Sequence, residues 1–255
     1  RHALGGLDPG CAITCRRGIG ASDVARLGAL AAEEGATLFI ALLAAFQAVL
    51  YRYSGLTDVA VGTPVSGRHR RGAEHLVGAC LNTIVIRCDV DGAAPFRSLL
   101  RGVRETAVAA YAHQDAPFDA VVRAINPTRS ATRNPLFQVL CNMRNLPPAV
   151  LTLSGLEVQP LPVDGGLGGL DLALDFTPRS GAIECAWTGA GDVFAPAALD
   201  RLAEHFAILL QAAARSADVA VDALPLGTEA ECRDAERRSR GTGAPEDDGT
   251  LLTAL

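Results

Sequence analysis

The 255-residue sequence predicts an α/β fold, with helices packed on a mixed sheet of about six strands. Two observations carry this. Stretches with apolar residues at helical spacing are interleaved with stretches that alternate at strand spacing. Hydrophobic residues make up 49% of the chain, enough for a sizeable core. A chain of this length buries roughly three quarters of its surface, as one large domain or two small ones.

The elements follow in order. Residues 1–20 are Gly-rich and poorly assigned, with Cys11 to Cys15 a candidate edge strand. Ser22 is expected to cap a helix that carries Val24, Leu27 and Leu30 on one face and ends at Gly35. Thr37 caps a second helix with Leu38, Leu42, Phe46, Val49, Leu50 and Tyr53 at helical spacing. That helix is apolar nearly all round, so it should be buried, and Ser54-Gly55 stops it. Val59 to Val65 reads as a strand ending at Ser66-Gly67, followed by the basic loop Arg68-His69-Arg70-Arg71. Asn82 to Val90 alternates Ile84, Ile86, Cys88 and Val90 against more polar residues, a half-buried strand.

Pro95 opens a long helix with Leu99, Leu100, Val103, Ala107 and Tyr111 inward. Asp115 is expected to cap a shorter helix starting at Pro117. Leu136 to Arg144, Leu156 to Pro160, Leu170 to Phe176 and Ile183 to Trp187 read as strands, with Pro147-Pro148 as a turn. Pro196 opens an amphipathic helix with Leu199, Leu202, Phe206, Leu209 and Leu210. From Thr228 the chain loses periodicity and reads as a linker.

Composition narrows the function classes. The net charge of −5 argues against a nucleic-acid partner. The longest apolar run, Leu38 to Phe46, is far short of the roughly 20 residues that span a bilayer, so no membrane partner is expected. Every basic side chain other than histidine is an arginine. Without lysine there is no Schiff base, P-loop lysine or pyridoxal-phosphate anchor. Seven cysteines without paired spacing fit reduced thiols in a cytoplasmic protein, most of them buried small hydrophobes, and no metal site is expected. The chain shows no signal peptide and opens on Arg1, so it is expected to be a piece of something longer.

Few residues invite a chemical reading. His113-Gln114-Asp115 places a histidine near a carboxylate, which is acid–base equipment. Neighbours in sequence rarely point the same way, and a structural turn capped by Asp115 is the favoured reading. Arg133-Asn134-Pro135 precedes a strand, where an arginine fork can hold carbonyls around a turn or touch substrate; the structural role is favoured. Asp171 and Asp175 share one strand face, solvated or lining a cleft. The glycines of Gly165–Gly169 lack nucleotide-loop spacing, and no Gly-x-Ser-x-Gly elbow is present. His2, His69, His75 and His205 are isolated, and His205 is expected to be a partly exposed face residue.

Several motifs in fixed order carry a resemblance. They are Thr37 to Arg68, Val77 to Arg87 with Gly78 and the Asn82-Thr83 pair, His113 to Asp119 (His113, Gln114, Asp115, Pro117 and Phe118 among them), Arg133 to Leu136, and Leu170-Asp171-Leu172. Together, from about Ser22 to Leu226, they resemble the second, C-terminal lobe of the condensation domains of nonribosomal peptide synthetases. Cys80 and Leu170 stand where that family usually has aromatic residues.

The resemblance implies a chloramphenicol-acetyltransferase-like lobe over residues 21–227, and a linker over 228–255 towards an adenylation domain. It implies two lobes facing each other across a tunnel that phosphopantetheine arms of donor and acceptor carrier proteins enter from opposite ends. No cofactor would be bound directly. Partners would be the N-terminal lobe, the carrier proteins and the adenylation domain. The family's catalytic histidine lies in a His-His-x-x-x-Asp-Gly motif on the first lobe. This sequence contains no His-His pair, so no catalytic residue is expected in it and the isolated chain should not catalyse condensation. By motif position, Gly62, Pro64, Asn82, Thr83, Asn142 and Asp171 are candidates for the tunnel wall. His113, Gln114, Asp115, Pro117, Phe118, Arg133, Asn134 and Pro135 are expected to be structural. Two alternatives stand beside this: a degenerate half-domain that docks a carrier protein or tailoring enzyme, and part of an epimerisation domain.

Overall fold

The structure, a computed structural model, describes residues 11–68, 72, 75–127, 134–145, 153, 155, 156, 158 and 167–239. Among them, six strands form one mixed sheet: β1 (Ala12–Ile19), β2 (Asp58–Val65), β3 (Asn82–Asp89), β4 (Val139–Met143), β5 (Leu172–Arg179) and β6 (Ala182–Ala190). Their spatial order is β1-β6-β5-β4-β2-β3. Strand β4 runs parallel to β2 and β5, and the remaining pairs are antiparallel. The helices are α1 (Ala21–Glu33), α2 (Leu38–Ser54), α3 (Phe96–Ala112), α4 (Phe118–Ile125), α5 (Pro196–Arg215) and α6 (Glu229–Ser239). No single described helix is long and apolar enough to cross a membrane.

Helix α2 accounts for the layering. Every residue from Ile40 to Val49 is buried, so no side of this stretch faces water. Helices α1, α3 and α5 pack around it, and β2 lies against it. Alternate strand residues complete the core: Val59 and Val61, Ile84 and Ile86, Cys141, Leu174 and Phe176, and Cys185 and Trp187. Trp187 meets Phe206 edge-on at 5.3 Å and Phe46 at 5.6 Å, the geometry aromatic pairs prefer. Gln47 is the polar exception on α2. Its Nε2 donates to the carbonyls of Val59 (3.3 Å) and Ile86 (3.2 Å), pinning the helix to two adjacent strands.

The opposite face of the sheet is different. Only α4 lies over it among the described residues, against β3. Ala60, Val85, Leu140, Ala173, Ala186 and Thr188 are half-buried there, whereas their neighbours in sequence point into the core.

Most expected helix ends are in place. Thr37 accepts from the Ile40 amide at 3.3 Å, and Gly55 closes α2 with φ +70°, a left-handed value that favours glycine. Pro95 immediately precedes α3 and Pro196 is the first residue of α5. Ser22, expected as a cap, lies instead inside the first turn of α1. Strand β1 runs to Ile19, so the chain turns at Gly20 and the helix starts at Ala21 without a side-chain cap. The edge strand is longer and later than Cys11 to Cys15, and it pairs with β6 along its whole length.

Other expectations are revised. The strand expected from Leu136 is the shorter β4, and the one expected from Leu170 begins at Leu172. Of 156–160, Leu156 makes an isolated bridge to Leu153 and Val158 belongs to no element; the rest lies outside the described residues, as do Pro147-Pro148, His69-Arg70-Arg71 and Gly165-Gly166. Three cysteines are buried, Cys88, Cys141 and Cys185; Cys15 and Cys80 are half-buried, and Cys11 and Cys232 exposed, so burial does not hold for most of them. Burial pushes the Cys185 thiol up to about 12.

The tail read as aperiodic carries α6. Thr228 and Glu231 start it with a reciprocal capping box: the Glu231 amide donates to Thr228 Oγ1 (3.2 Å), and the Thr228 amide to Glu231 Oε2 (2.9 Å). The spacing was legible; the highly charged composition hid it. Glu231 also meets His205 Nε2 at 3.1 Å, while His205 Nδ1 meets the Tyr53 hydroxyl at 2.8 Å. His205 is partly exposed, with its side chain 12% accessible, and it also links α2, α5 and α6.

These contacts make a pH prediction. The hydrogen bonds from Thr228 lead in holding the Glu231 carboxyl at about 2, below its ordinary value of 4.5. A depressed carboxyl stabilises the fold above its ordinary value and loses that contribution as pH falls towards the depressed one. The protection factors of the α6 amides, measured against intrinsic exchange at each pH, should therefore fall between about pH 4.5 and 2, and Glu231→Gln should show lower protection already at pH 6, with less further change on acidification.

Candidate functional site

The site builds from Asn82, the first residue of β3. Its Nδ2 donates to the carbonyls of Gln114 and Ala116, both at 2.8 Å, and its Oδ1 accepts from the Phe118 amide at 3.1 Å. One side chain thus holds the α3–α4 connection and caps α4. This corrects the expectation for Asp115. The position before α4 is Pro117, which has no side-chain donor or acceptor, and the capping oxygen comes from a strand. Asp115 lines a groove of about 460 Å³ with Asn82, Gln114, Pro117, Cys80 and Leu81. His113 ends α3, its backbone amide donating to Ala110 O at 3.1 Å.

Phe118 carries the connection onto the sheet. Its ring meets Phe137 edge-on at 5.8 Å. Phe137 covers Gly62 so closely that a Cβ there would lie 2.2 Å from the ring. Phe137 is held in turn by Asn134, whose Oδ1 accepts from the Leu136 (3.1 Å) and Phe137 (3.3 Å) amides. Asn134 and Pro135 lie in the turn into β4, while Arg133 lies outside the described residues. Sequence reading missed Phe137 as a fixed point; its place beside the Asn134-Pro135 turn was the available signal.

Beside α4 lies a cavity of about 520 Å³ between the uncovered sheet face and the helix. Ala60, Val85, Phe118, Val121, Ile125 and Leu136 make it apolar, and Thr83 and His113 add polar groups. At its edge Arg87 grips Asp58 through two 2.6 Å hydrogen bonds, which lower the Asp58 pKa.

Register decides which wall candidates meet. Thr83 pairs with Pro64, Asn142 with Asp175, Asp175 with Ala186, and Ala186 with Arg16. Extending the parallel pair Gly62–Leu140 by two residues puts Pro64 beside Asn142. Thr83, Pro64, Asn142 and Asp175 therefore form one transverse row on the uncovered face. Gly62 lies in the neighbouring row, beneath Phe137. Asp171 precedes β5, its amide donating to Gln138 O at 2.8 Å. Asn82 has the parity of the core-facing residues and is separated from the row.

Within the row, Asp175 is the polar centre, its side chain 17% exposed. Asn142 Nδ2 donates to Oδ1 at 2.7 Å, and Arg144 donates to both oxygens at 3.1 and 3.0 Å. The Asp175 hydrogen bonds raise the Arg144 pKa. Asn142 and Asp175 were singled out in sequence; their contact and the part of Arg144 were not, because they depend on parallel register.

Removing Asn82 breaks three hydrogen bonds at once. Asn82→Ala should destabilise the protein by about 2–4 kcal/mol in urea unfolding, and Gly62→Ala by about 1–3 kcal/mol through collision with the Phe137 ring.

The condensation domain family matches residues 13–234. Linear gramicidin synthase subunits C and D of Brevibacillus parabrevis are 38% and 41% identical over 91% and 81% of this chain, but it spans 3% and 4% of their lengths. The X-domain from teicoplanin biosynthesis has the same fold, with a TM-score of 0.79 at 23% identity, over 87% of this chain and 54% of that one. With the ordered motifs embedded in this fold, the chain belongs to the condensation domain family of nonribosomal peptide synthetases.

Proposed function

We propose that the chain is the C-terminal lobe of a condensation domain, and that with an N-terminal lobe it forms amide bonds between carrier-bound aminoacyl and peptidyl thioesters. The uncovered sheet face carries this reading. Four helices hide one face, while the other is half-buried and holds the row of Thr83, Pro64, Asn142 and Asp175. A sheet in a layered domain normally has its second face covered or put to use. The 54% share of the X-domain fold supports a second lobe of similar size across it.

In this reading the two lobes enclose a tunnel, and this chain supplies one wall. Phosphopantetheine arms of two carrier proteins enter from opposite ends. The acceptor amine attacks the donor thioester carbonyl, a C–N bond forms, and the donor thiol leaves with a proton. The sequence has no His-His pair, so the histidine that positions or deprotonates the amine belongs to the other lobe. This lobe contributes orientation, which is a large share of catalysis for an already activated thioester. In this reading α6, fastened through Glu231 and His205, closes the lobe, and the segment beyond it leads towards an adenylation domain.

The test is reconstitution with donor and acceptor carrier proteins loaded with aminoacyl groups. The chain alone should release no dipeptidyl product above background, whereas the chain joined to an N-terminal lobe carrying the His-His-x-x-x-Asp-Gly motif should. Product from the chain alone, or none from the joined lobes, would overturn the proposal.

A further inference from the structure

We infer that Asn142 presents its side-chain carbonyl oxygen to a backbone amide N–H of a carrier-bound peptidyl thioester, making it a specificity-determining contact of the wall. This rests on the reading of the chain as one lobe of a condensation domain. The orientation of the Asn142 amide is fixed by chemistry. An ionised carboxylate only accepts hydrogen bonds, so the group facing Asp175 must be the NH2 and the carbonyl oxygen must point away. Arg144 holds Asp175 in place through both carboxylate oxygens, so the amide has a rigid support.

What surrounds the oxygen defines its partner. Extending the Gly62–Leu140 pair by two residues places Pro64 of β2, which has no side-chain donor, beside Asn142. Ala186 lies beyond Asp175 and offers none either. Among the described residues none donates a hydrogen bond to this half-buried oxygen, which leaves it open to an N–H or O–H donor. The charge of Asp175 is matched by Arg144, so this part of the row offers no unneutralised carboxylate to a cation. A neutral donor fits better than an ammonium. The substrates of the proposed reaction carry one such donor in every peptide bond, and the row lies on the face they would cross.

The experiment measures binding, so that it does not depend on turnover. The probe is a thioether analogue of a peptidyl pantetheine, with its last amide either N–H or N-methyl, titrated into the joined two-lobe domain. Wild type should prefer the N–H form by about five- to tenfold, the scale of one hydrogen bond. Asn142→Leu should bind both forms equally, at the level of the N-methyl form. Asp175→Asn, which removes the carboxylate that fixes the amide, should lower the preference while leaving Asn142 in place. An unchanged preference in Asn142→Leu, with its thermal midpoint intact, would overturn the inference. So would a wild type that does not distinguish the two forms or binds neither. Product formation by that same wild type would leave the proposed function standing, so the two failures are separable.

Discussion

Helix α2 has no polar side to give to water, and the rest of the fold follows from hiding it. Its length from Ile40 to Val49 is buried among α1, α3, α5 and the sheet. Gln47 is the one polar residue in that stretch; its Nε2 bonds to the Val59 and Ile86 carbonyls, while its buried Oε1 has no partner among the described residues. Crowding these helices onto one face leaves the other face to α4 alone among the described residues. The asymmetry between the two faces of the sheet is thus a consequence of core packing.

The family's motif residues serve this surface indirectly. Asn82 ties the α3–α4 connection to β3, Phe118 carries that tie to Phe137, and Asn134 sets Phe137 over Gly62. The chain of contacts joins motifs that lie far apart in sequence into one network. Each end of the chain is a backbone turn, and the middle is a pair of rings. None of these side chains needs to touch a substrate to be required. The polar row across Thr83, Pro64, Asn142 and Asp175 is separate, supported by strand register rather than by loops.

The charged tail follows a similar logic on a smaller scale. Helix α6 has few apolar residues to bury, so its first turn depends on the Thr228–Glu231 capping box. His205 then connects it to Tyr53 on the buried helix, fixing where α6 sits against α2 and α5.

The sequence by itself determined the local elements and the family. Apolar period marked α2, α3 and α5, alternation marked β3 and β5, and Thr37, Gly55, Pro95 and Pro196 bounded helices through backbone rules that act within a few residues. The ordered motifs were equally legible, because they are short strings. Sequence reading went astray where the partner was distant or the signal short. It assigned the cap of α4 to Asp115, although the oxygen comes from Asn82, 36 residues away. It placed Ser22 at a helix start that Gly20 occupies, because the end of β1 sets that corner. It dismissed the charged tail although the capping box was present. Only the tertiary structure decided which wall residues share a face. Parallel pairing of β4 with β2 and β5 joins segments separated by tens of residues, and a shift of one residue would have turned Asn142 into the core.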